Sequence, residues 1–228
     1  MADASAFGTP LWTGLYIGAG GGLKALNNTV TAVPGDAVKD DPGAIGAHVS
    51  LDGLGGDGAF FSLGIGGDYQ FHDRFLVGAF FDYDFDTLAT NVDVSIPGIP
   101  LQAHGKVEID DSWSVGGRLG FLPSPSALLF LSAGYTRLGS TDISANISGP
   151  AEISARASVS SIAGIFYGGG FETLLTDHIS LKGEYRYTDF GSGDITLPTV
   201  EGIDLNGFVS PSIEPTLHVG RLSLGYRF

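Results

Sequence analysis

Three aspartates near the middle of the chain have the spacing that opens a calcium-binding loop. Asp82, Asp84 and Asp86 match the first, third and fifth ligand positions of an EF-hand. That loop requires glycine at its sixth position for a sharp turn, and Thr87 stands there instead. The segment also has the pattern of a β-strand. We therefore expect no EF-hand here, and a looser cation site near Asp86 is the remaining alternative.

Two histidines precede a serine by two residues, an arrangement that could serve a serine hydrolase. The pairs are His178 with Ser180 and His48 with Ser50. Such chemistry needs a nucleophile, a base and an orienting carboxylate within hydrogen-bond reach, and no third partner is evident. The chain also has no cysteine, which excludes thiol catalysis, disulfides and cysteine metal sites. We predict a protein that is not an enzyme and has no catalytic residue, cofactor or metal.

The composition combines strong negative charge with ample apolar content. The 228 residues include 25 acids and 11 bases, which give a net charge of −14, yet 43% are hydrophobic and mean hydropathy is +0.21. The hydrophobic content argues against disorder. The acidic balance argues against nucleic acid as a partner, because such binding requires a basic surface.

The elements that must position the charged residues are strands, because apolar and polar residues alternate. In residues 75–86 one face carries Phe75, Val77, Ala79, Phe81, Tyr83 and Phe85. A helix would scatter these residues around its axis, whereas a strand separates them. Segments of this kind cover residues 11–23, 58–71, 75–86, 111–122, 127–138, 161–175, 179–190 and 214–228. Each exceeds the usual five or six residues of a soluble strand, and this length suits a tilted strand that crosses a bilayer.

The connections alternate between short and long. Three are tight, at 72–74, 123–126 and 176–178, and four are long, at 24–57, 87–110, 139–160 and 191–213. This alternation predicts a single all-β domain over residues 1–228, a transmembrane eight-stranded antiparallel up-and-down β-barrel with four outer loops and three periplasmic turns. Both termini then lie in the periplasm. A soluble sandwich or lipocalin-like barrel is the alternative, but bulky aromatic residues on one face and glycine with charge on the other favour the membrane barrel.

The polar face of each predicted strand should line the barrel interior, which eight strands leave just wide enough for side chains. The inward charges are balanced, five of each sign, as burial requires. We predict a structural ion network that plugs the lumen, and a narrow passive channel for ions or small solutes is the alternative. The predicted network comprises Asp68, Asp82, Asp84, Arg118, Glu172, Lys182, Glu184, Arg186, Arg221 and Arg227.

Aromatic residues near the strand ends could form the girdles that flank the apolar band of such a barrel. Trp12 and Trp113 are placed there together with Tyr16 and other tyrosines. The sequence therefore predicts that both tryptophans face the membrane interface.

Several strand motifs resemble the porin-like, OmpA-type eight-stranded barrel family of Gram-negative outer membranes. They are Trp12–Gly18, Gly168–Glu172, Leu181–Tyr187 and Val219–Phe228. The resemblance implies an integral, surface-exposed and monomeric outer-membrane protein that braces the cell envelope. It covers the barrel only, and we expect no peptidoglycan-binding domain.

The last strand also resembles the C-terminal signal that the barrel-assembly machinery recognises. The residues of this signal would be Leu222, Leu224, Tyr226 and Phe228. The long connections carry an excess of acidic residues and should face outward. The expected partners are therefore outer-membrane lipid and lipopolysaccharide, the assembly machinery during biogenesis, and an extracellular ligand or surface that the loops contact.

Overall fold

The computed structural model describes most of the predicted strands and parts of the connections between them. The described residues are 12–34, 49–51, 56–95, 102–139, 141–148, 153–159, 162–194, 199–200, 203–204 and 209–228. Among these residues no helix is long and apolar enough to cross a membrane.

Eight long strands form the wall of a closed antiparallel barrel. They are β1 Gly14–Pro34, β2 Gly56–His72, β3 Phe75–Ser95, β4 Gln102–Ser124, β5 Ala127–Leu138, β6 Ala163–Leu174, β7 Ile179–Asp189 and β8 Val209–Arg227. Each pairs with its neighbours in the chain, and β8 pairs with β1 from Tyr16↔Arg227 to Pro34↔Val209. This last pairing removes the open edges that a flat sheet would expose.

The barrel has one end with tight turns and one with long connections. Two-residue turns join β2 to β3 and β4 to β5, and residues 175–178 join β6 to β7. Trp12 and Phe228 lie at the same end, because the strand number is even and the strands alternate in direction. We call this the turn end and the opposite end the loop end.

Several strands continue far past the predicted limits at the loop end. β1 reaches Pro34, and β3 and β4 pair from Leu88↔Ile109 up to Ser95↔Gln102. A further hairpin, Thr141–Ser148 with Ile153–Val159, adds to the upper part of β4. The prediction that 24–57 and 87–110 are loops is therefore wrong for the parts nearest the barrel. Alternation is confined to short stretches of these segments, as at Val92 and Val94 or Val107 and Ile109, but antiparallel partners satisfy their backbone groups.

Because apolar and polar residues alternate along each strand, the barrel has an apolar exterior and a polar interior. Leu15, Ile65, Phe81 and Leu131 represent the large hydrophobic side chains that point outward, each more than 40% exposed. Most charged side chains in the central parts of the strands, such as Asp82, Arg118 and Arg186, point inward and are buried. This inverts the arrangement of a soluble barrel and matches the apolar-out, polar-in rule of membrane barrels.

Candidate functional site: the filled lumen

The structure places the side chains of all ten residues of the predicted network inside the barrel. Nine of the ten residues are at most 6% exposed, and the side chain of Lys182 is 14% exposed. The network is divided into two ionic clusters at different depths, which the sequence pattern did not distinguish. Among the described residues no ion pair joins one cluster to the other.

The lower cluster is a closed ring of four groups near the turn end. Arg118 donates through Nε and Nη2 to both carboxylate oxygens of Asp68 and through Nη1 to Glu172 at 2.7 Å. Arg227 donates to the same two acids, with 2.6 Å to Asp68 and 3.3 Å to Glu172. Each acid therefore contacts two guanidinium groups, and the ring is neutral. Such pairing is what makes full burial of four charges tolerable.

The upper cluster is a chain in which positive and negative groups alternate. It begins with Lys182 and Glu184 at 3.7 Å, continues through Arg186 at 2.8 Å, and reaches Asp82 at 2.6 Å. Arg221 then bridges Asp82 and Asp84 at 3.0 Å each. Because every inner member has an opposite charge on both sides, the chain crosses the lumen without leaving a charge isolated.

Two members of the upper chain, Lys24 and Asp86, were missing from the predicted network. Lys24 Nζ lies 2.9 Å from Asp84 Oδ2 and 2.6 Å from Asp86 Oδ1, and it also donates to Ser112 Oγ. Lys24 was assigned to a loop, but β1 continues past it and turns its side chain inward. The expected count of five acids and five bases is therefore too low, but the expected balance holds, because the described lumen has six of each. A bound cation near Asp86 was the alternative to an EF-hand. The Lys24 ammonium group lies at that place instead.

An aromatic layer separates the two ionic clusters. Tyr16, Phe80 and Phe166 form a buried cluster at mid-lumen. The guanidinium carbon of Arg118 lies 4.9 Å from the ring centre of Tyr16, and that of Arg186 lies 4.7 Å from those of Phe80 and Phe166. Cations on both sides of the layer thus gain cation–π contact with it. The layer narrows the polar path along the barrel axis, but Glu172 of the lower cluster and Lys182 of the upper cluster are register partners and border the same small cavity beside it.

Apolar side chains close both ends of the lumen. The turn-end plug consists of Trp12, Leu76, Leu122, Leu128 and Phe130, with Leu174 packed against it. The loop-end plug consists of Leu26, Phe60, Leu138, Leu217 and Val219, with Phe190 packed against it. The alternating pattern placed Leu76 on the inward face. Neither plug was predicted, because only the charged residues of that face were considered.

Trp12 does not face the membrane interface, so the prediction for this residue is wrong. It is 1% exposed, its indole Nε1 donates to Pro125 O at 2.9 Å, and its carbonyl accepts from Arg227. Tyr16 is likewise inside the lumen at 7% exposure. Both residues had been assigned to the membrane interface because they are aromatic. The direction of a side chain is decided instead by its odd or even position along the strand.

Inward glycines make room for the large inward side chains. A Cβ at Gly116 would lie 2.7 Å from the Phe166 ring and 3.0 Å from that of Phe80. A Cβ at Gly120 would meet Leu128 at 2.5 Å and Leu76 at 2.8 Å. The small residues expected to line a crowded interior are thus places where rings and guanidinium groups from other strands fit.

The space left in this interior is small and polar. A cavity of about 20 Å³ is bordered by Ser62, Asp82, Lys182 and Arg221, with glycines of β1 alongside. That volume suffices for about one water, which requires roughly 10–15 Å³. Arg221 Nε and Asp84 Oδ1 are buried polar atoms without a hydrogen-bond partner among the described atoms.

The candidate catalytic and calcium-binding groups do not assemble into such sites. His178 is exposed at a turn, where its Nδ1 is 3.0 Å from Arg227 O, whereas Ser180 is 1% exposed inside the barrel. Asp82, Asp84 and Asp86 lie on one straight strand, and all three contact Lys or Arg side chains. No group of three metal-ligating side chains occurs in the described residues. His48 lies outside those residues.

Aromatic side chains of β2 to β5 cluster on the exterior at two depths, which we call the loop-end girdle and the turn-end girdle. At the loop end Trp113 contacts Phe81 and Tyr135, with ring centres 6.2 and 5.8 Å away. At the turn end Phe75 contacts Phe71 at 6.4 Å and Phe121 at 5.6 Å. Two aromatic belts around an apolar band are typical of barrels in an outer membrane.

Comparison with known proteins agrees with this geometry over the whole chain. Residues 1–228 match the family described as outer membrane protein beta-barrel domain. The chain belongs to this outer-membrane barrel family. The 31 kDa outer-membrane immunogenic protein of Brucella melitensis is 26% identical over 224 residues, which are 95% of this chain and 84% of that protein. The protein of the same name from Brucella suis gives the same values.

Solved outer-membrane proteins also resemble this barrel. OprG of Pseudomonas aeruginosa covers 95% of this chain with 96% of its own, at 14% identity and a TM-score of 0.48. Neisserial surface protein A covers 95% of this chain with 98% of its own, at 12% identity and a TM-score of 0.39.

Proposed function

We propose that this barrel is a non-catalytic, plugged outer-membrane protein that supports the envelope and presents acidic loops to the cell exterior. The observation that carries the proposal is the filled lumen, in which two ionic clusters alternate with an aromatic layer and two apolar plugs. An ion would have to displace the salt bridges and also pass the apolar plug at each end of the lumen. The barrel therefore acts as a rigid base, and recognition belongs to the connections at the loop end.

Surface interaction is supported by charge and by the relatives. The long connections contain more acids than bases, which favours bridging to lipopolysaccharide through divalent cations or contact with a cationic ligand. The Brucella relatives are called immunogenic, a description that fits a protein whose loops reach the exterior. The partners we propose are outer-membrane lipid and lipopolysaccharide, the barrel-assembly machinery that reads Leu222, Leu224, Tyr226 and Phe228, and an extracellular ligand of the loops. The barrel itself is proposed to be a monomer.

Electrical recording tests the plugged lumen. Protein refolded into lipid, with folding verified by the heat-dependent gel shift of intact barrels, is added to planar bilayers over a range of salt concentrations. We expect no reproducible conductance steps. Steady discrete steps that change in Arg118→Gln or Glu184→Gln, with an unchanged value in the exposed-turn control Asp177→Asn, would contradict the proposal.

Labelling of single cysteines tests the proposed orientation, with the loop end outside and both termini in the periplasm. The chain has no native cysteine, so Ser192→Cys near the loop end and Asp177→Cys in a turn each supply one thiol. A membrane-impermeant maleimide added to intact cells should label only Ser192→Cys, and both variants should react after the outer membrane is permeabilised. Labelling of Asp177→Cys in intact cells would reverse the orientation.

A narrow passive channel is the second candidate. The small polar cavity beside Lys182 and the unpartnered polar atoms of Arg221 and Asp84 favour it, because such groups tolerate a mobile water or ion. The path would run past Asp82, Arg118, Glu184 and Arg221. The same recording separates the candidates, since conduction requires the salt bridges to rearrange and should respond to their neutralisation.

The absence of catalysis is part of the proposal. The separation of His178 from Ser180 by the barrel wall supports it, as does their lack of a shared carboxylate. Mass spectrometry of lipid A from cells with and without the protein provides the check. A new lipid A mass that persists in the Ser180→Ala variant would point to a catalytic group elsewhere, and one that disappears would assign catalysis to Ser180.

A further inference from the structure

A furrow crosses the outward surface of β6, β7, β8 and β1, and we call it the outer furrow. It has a volume of about 570 Å³, within the roughly 300–1,000 Å³ of small-molecule sites. Each of its four strands contributes one outward glycine to the floor. These are Gly169, Gly183, Gly220 and Gly21.

The strand registers alternate these glycines with large side chains. Gly169 lies opposite Tyr185, which lies opposite Gly220. On the neighbouring row Gly183 lies opposite Leu222, which in turn lies opposite Gly21. The side chains that stand between the glycines are Leu23, Phe171, Tyr185 and Leu222, each at least 50% exposed. The walls are therefore apolar, and the floor is low backbone at Gly220, whereas the Phe171 ring lies over Gly183, where a Cβ would meet it at 2.7 Å.

The space above the floor is open at its centre. A Cβ at Gly220 would meet no atom within 4 Å. On the opposite side of the barrel, contacting rings cover the wall, as at Tyr83 with Phe85 and Phe81 with Trp113. A second exterior groove of about 520 Å³ lies beside Gly67 on β1, β2 and β3, so the outer furrow is distinguished by its lining and by its open centre at Gly220, and not by its size.

A polar pair lies at the loop-end rim of the furrow. The Tyr185 hydroxyl and His218 Nδ1 are 2.6 Å apart, and the Tyr187 ring meets the His218 ring edge-on at 5.2 Å. His218 is two residues toward the loop end from Gly220 on β8. Amphipathic Tyr and His side chains at a band edge are placed to contact the polar part of a lipid.

We propose that the outer furrow holds one acyl chain of a bilayer lipid as a resident ligand, with the polar part of that lipid against Tyr185 and His218. The furrow is continuous with the lipid-facing band and almost entirely apolar, so hydrocarbon fills it whereas water would not. Within a bilayer, contact of this kind is decided by van der Waals fit. A chain lying over the glycines contacts both the backbone floor and the side-chain walls.

A second copy of the barrel fits the furrow less well. A two-fold dimer would place the same concave surface on both partners, and two facing furrows leave a void. A head-to-tail contact would avoid the void by placing the furrow against a different face of the next copy, and it would produce a ring or a filament of barrels. The inference concerns the outer wall and is independent of whether the lumen conducts.

Native mass spectrometry of the refolded barrel in detergent, titrated with palmitoyl-oleoyl phosphatidylglycerol, tests the proposal. Gly220→Leu fills the open centre, and Gly117→Leu makes the same change at an outward glycine of β4 outside the furrow. Wild type and Gly117→Leu should each retain one lipid, and Gly220→Leu should bind it about tenfold more weakly. Equal retention by all three, or equal loss in both variants, would overturn the proposal. Dimers that disappear in Gly220→Leu would overturn it in favour of a second copy.

A measurement on the wild-type protein covers the case in which Gly220→Leu does not fold. A phospholipid with a nitroxide on its acyl chain broadens the amide signals of nearby residues in an NMR spectrum. A resident chain should broaden Gly220 more strongly than Gly117, which is also outward but lies outside the furrow. Uniform broadening would show that the furrow lipid is no different from the rest of the lipid shell.

Discussion

Lys24 on β1 and Asp86 on β3 meet inside the barrel, with 2.6 Å between Nζ and Oδ1. The strand β2 lies between their own strands, so this contact joins non-adjacent parts of the wall across the lumen. It also ends the alternating upper chain at the loop end, directly below the plug formed around Phe60. The Lys24 Nζ lies 4.6 Å from the centre of that ring. One lysine thus links the ionic and apolar layers.

Removal of the Lys24 charge should therefore destabilise the barrel. Lys24→Met leaves Asp86 buried without a cation and Asp84 with Arg221 alone, and loss of one partner of a buried pair costs about 3–5 kcal/mol. The free energy of unfolding in urea, measured in lipid vesicles, should fall by about that amount. The double variant Lys24→Met/Asp86→Asn should recover part of the loss, because the amide is neutral and can still bond to Ser112. A single variant as stable as the wild type would show that the upper chain does not depend on Lys24.

Quenching of tryptophan fluorescence by lipid should differ between Trp12 and Trp113, because they lie on opposite sides of the barrel wall. Trp12 is 1% exposed in the turn-end plug, whereas Trp113 faces outward in the loop-end girdle. In vesicles of phospholipid with brominated chains, the fluorescence of Trp12→Phe, which retains Trp113, should be strongly quenched. The fluorescence of Trp113→Phe, which retains Trp12, should stay close to its value in unbrominated lipid. Strong quenching of both variants would place Trp12 in the lipid and remove it from the plug.

The alternation of residue types was enough to predict the barrel and the side of the wall on which charges lie. Period two is a local property, so Asp82, Asp84 and Arg118 could be placed inward without knowledge of any other strand. Their partners could not be predicted in the same way. Arg186 and Asp82 are 104 residues apart in sequence, and their contact depends on the register of strands around the closed wall.

Lys24 and Trp12 were missed for related reasons. Lys24 follows a glycine-rich run and precedes polar residues, so alternation fades although the strand continues through pairing with β8. Trp12 precedes β1. At this position too few alternating residues are present to indicate whether a side chain points inward or outward. At such strand ends, tertiary contacts decide the direction of a side chain, and here those contacts are Pro125 O and Arg227.

The stability of the barrel should depend on arginine, and not merely on a positive charge, at position 118 of the lower cluster. Arg118 uses three of its nitrogens to bind two acids, and an ammonium group cannot reproduce this planar geometry. Arg118→Lys should therefore lower the unfolding free energy by about 1.5–3 kcal/mol, the usual cost of one lost hydrogen bond to a charged group. The same substitution at Arg137, whose side chain is exposed, should cost less than at Arg118, because solvent screens the contacts of an exposed charge. Equal effects at both positions would mean that charge alone, without fork geometry, stabilises the ring.

Two consecutive glycines of β4 test the inward and outward assignment most directly. Gly116 faces the lumen, where a Cβ would lie 2.7 Å from Phe166 and 2.8 Å from Ala133 O, whereas a Cβ at Gly117 would meet only Gly78 O at 3.6 Å. Gly116→Leu should overpack the aromatic layer and cost about 1–3 kcal/mol or more, because the ring neighbours cannot move within a closed wall. Gly117→Leu should leave stability unchanged or raise it, since leucine is favourable in contact with lipid. Urea unfolding and the heat-dependent gel shift measure both variants under the same conditions. A reversed order of stability would mean that the phase of β4 is shifted by one residue, and with it the placement of Arg118 inside the lumen.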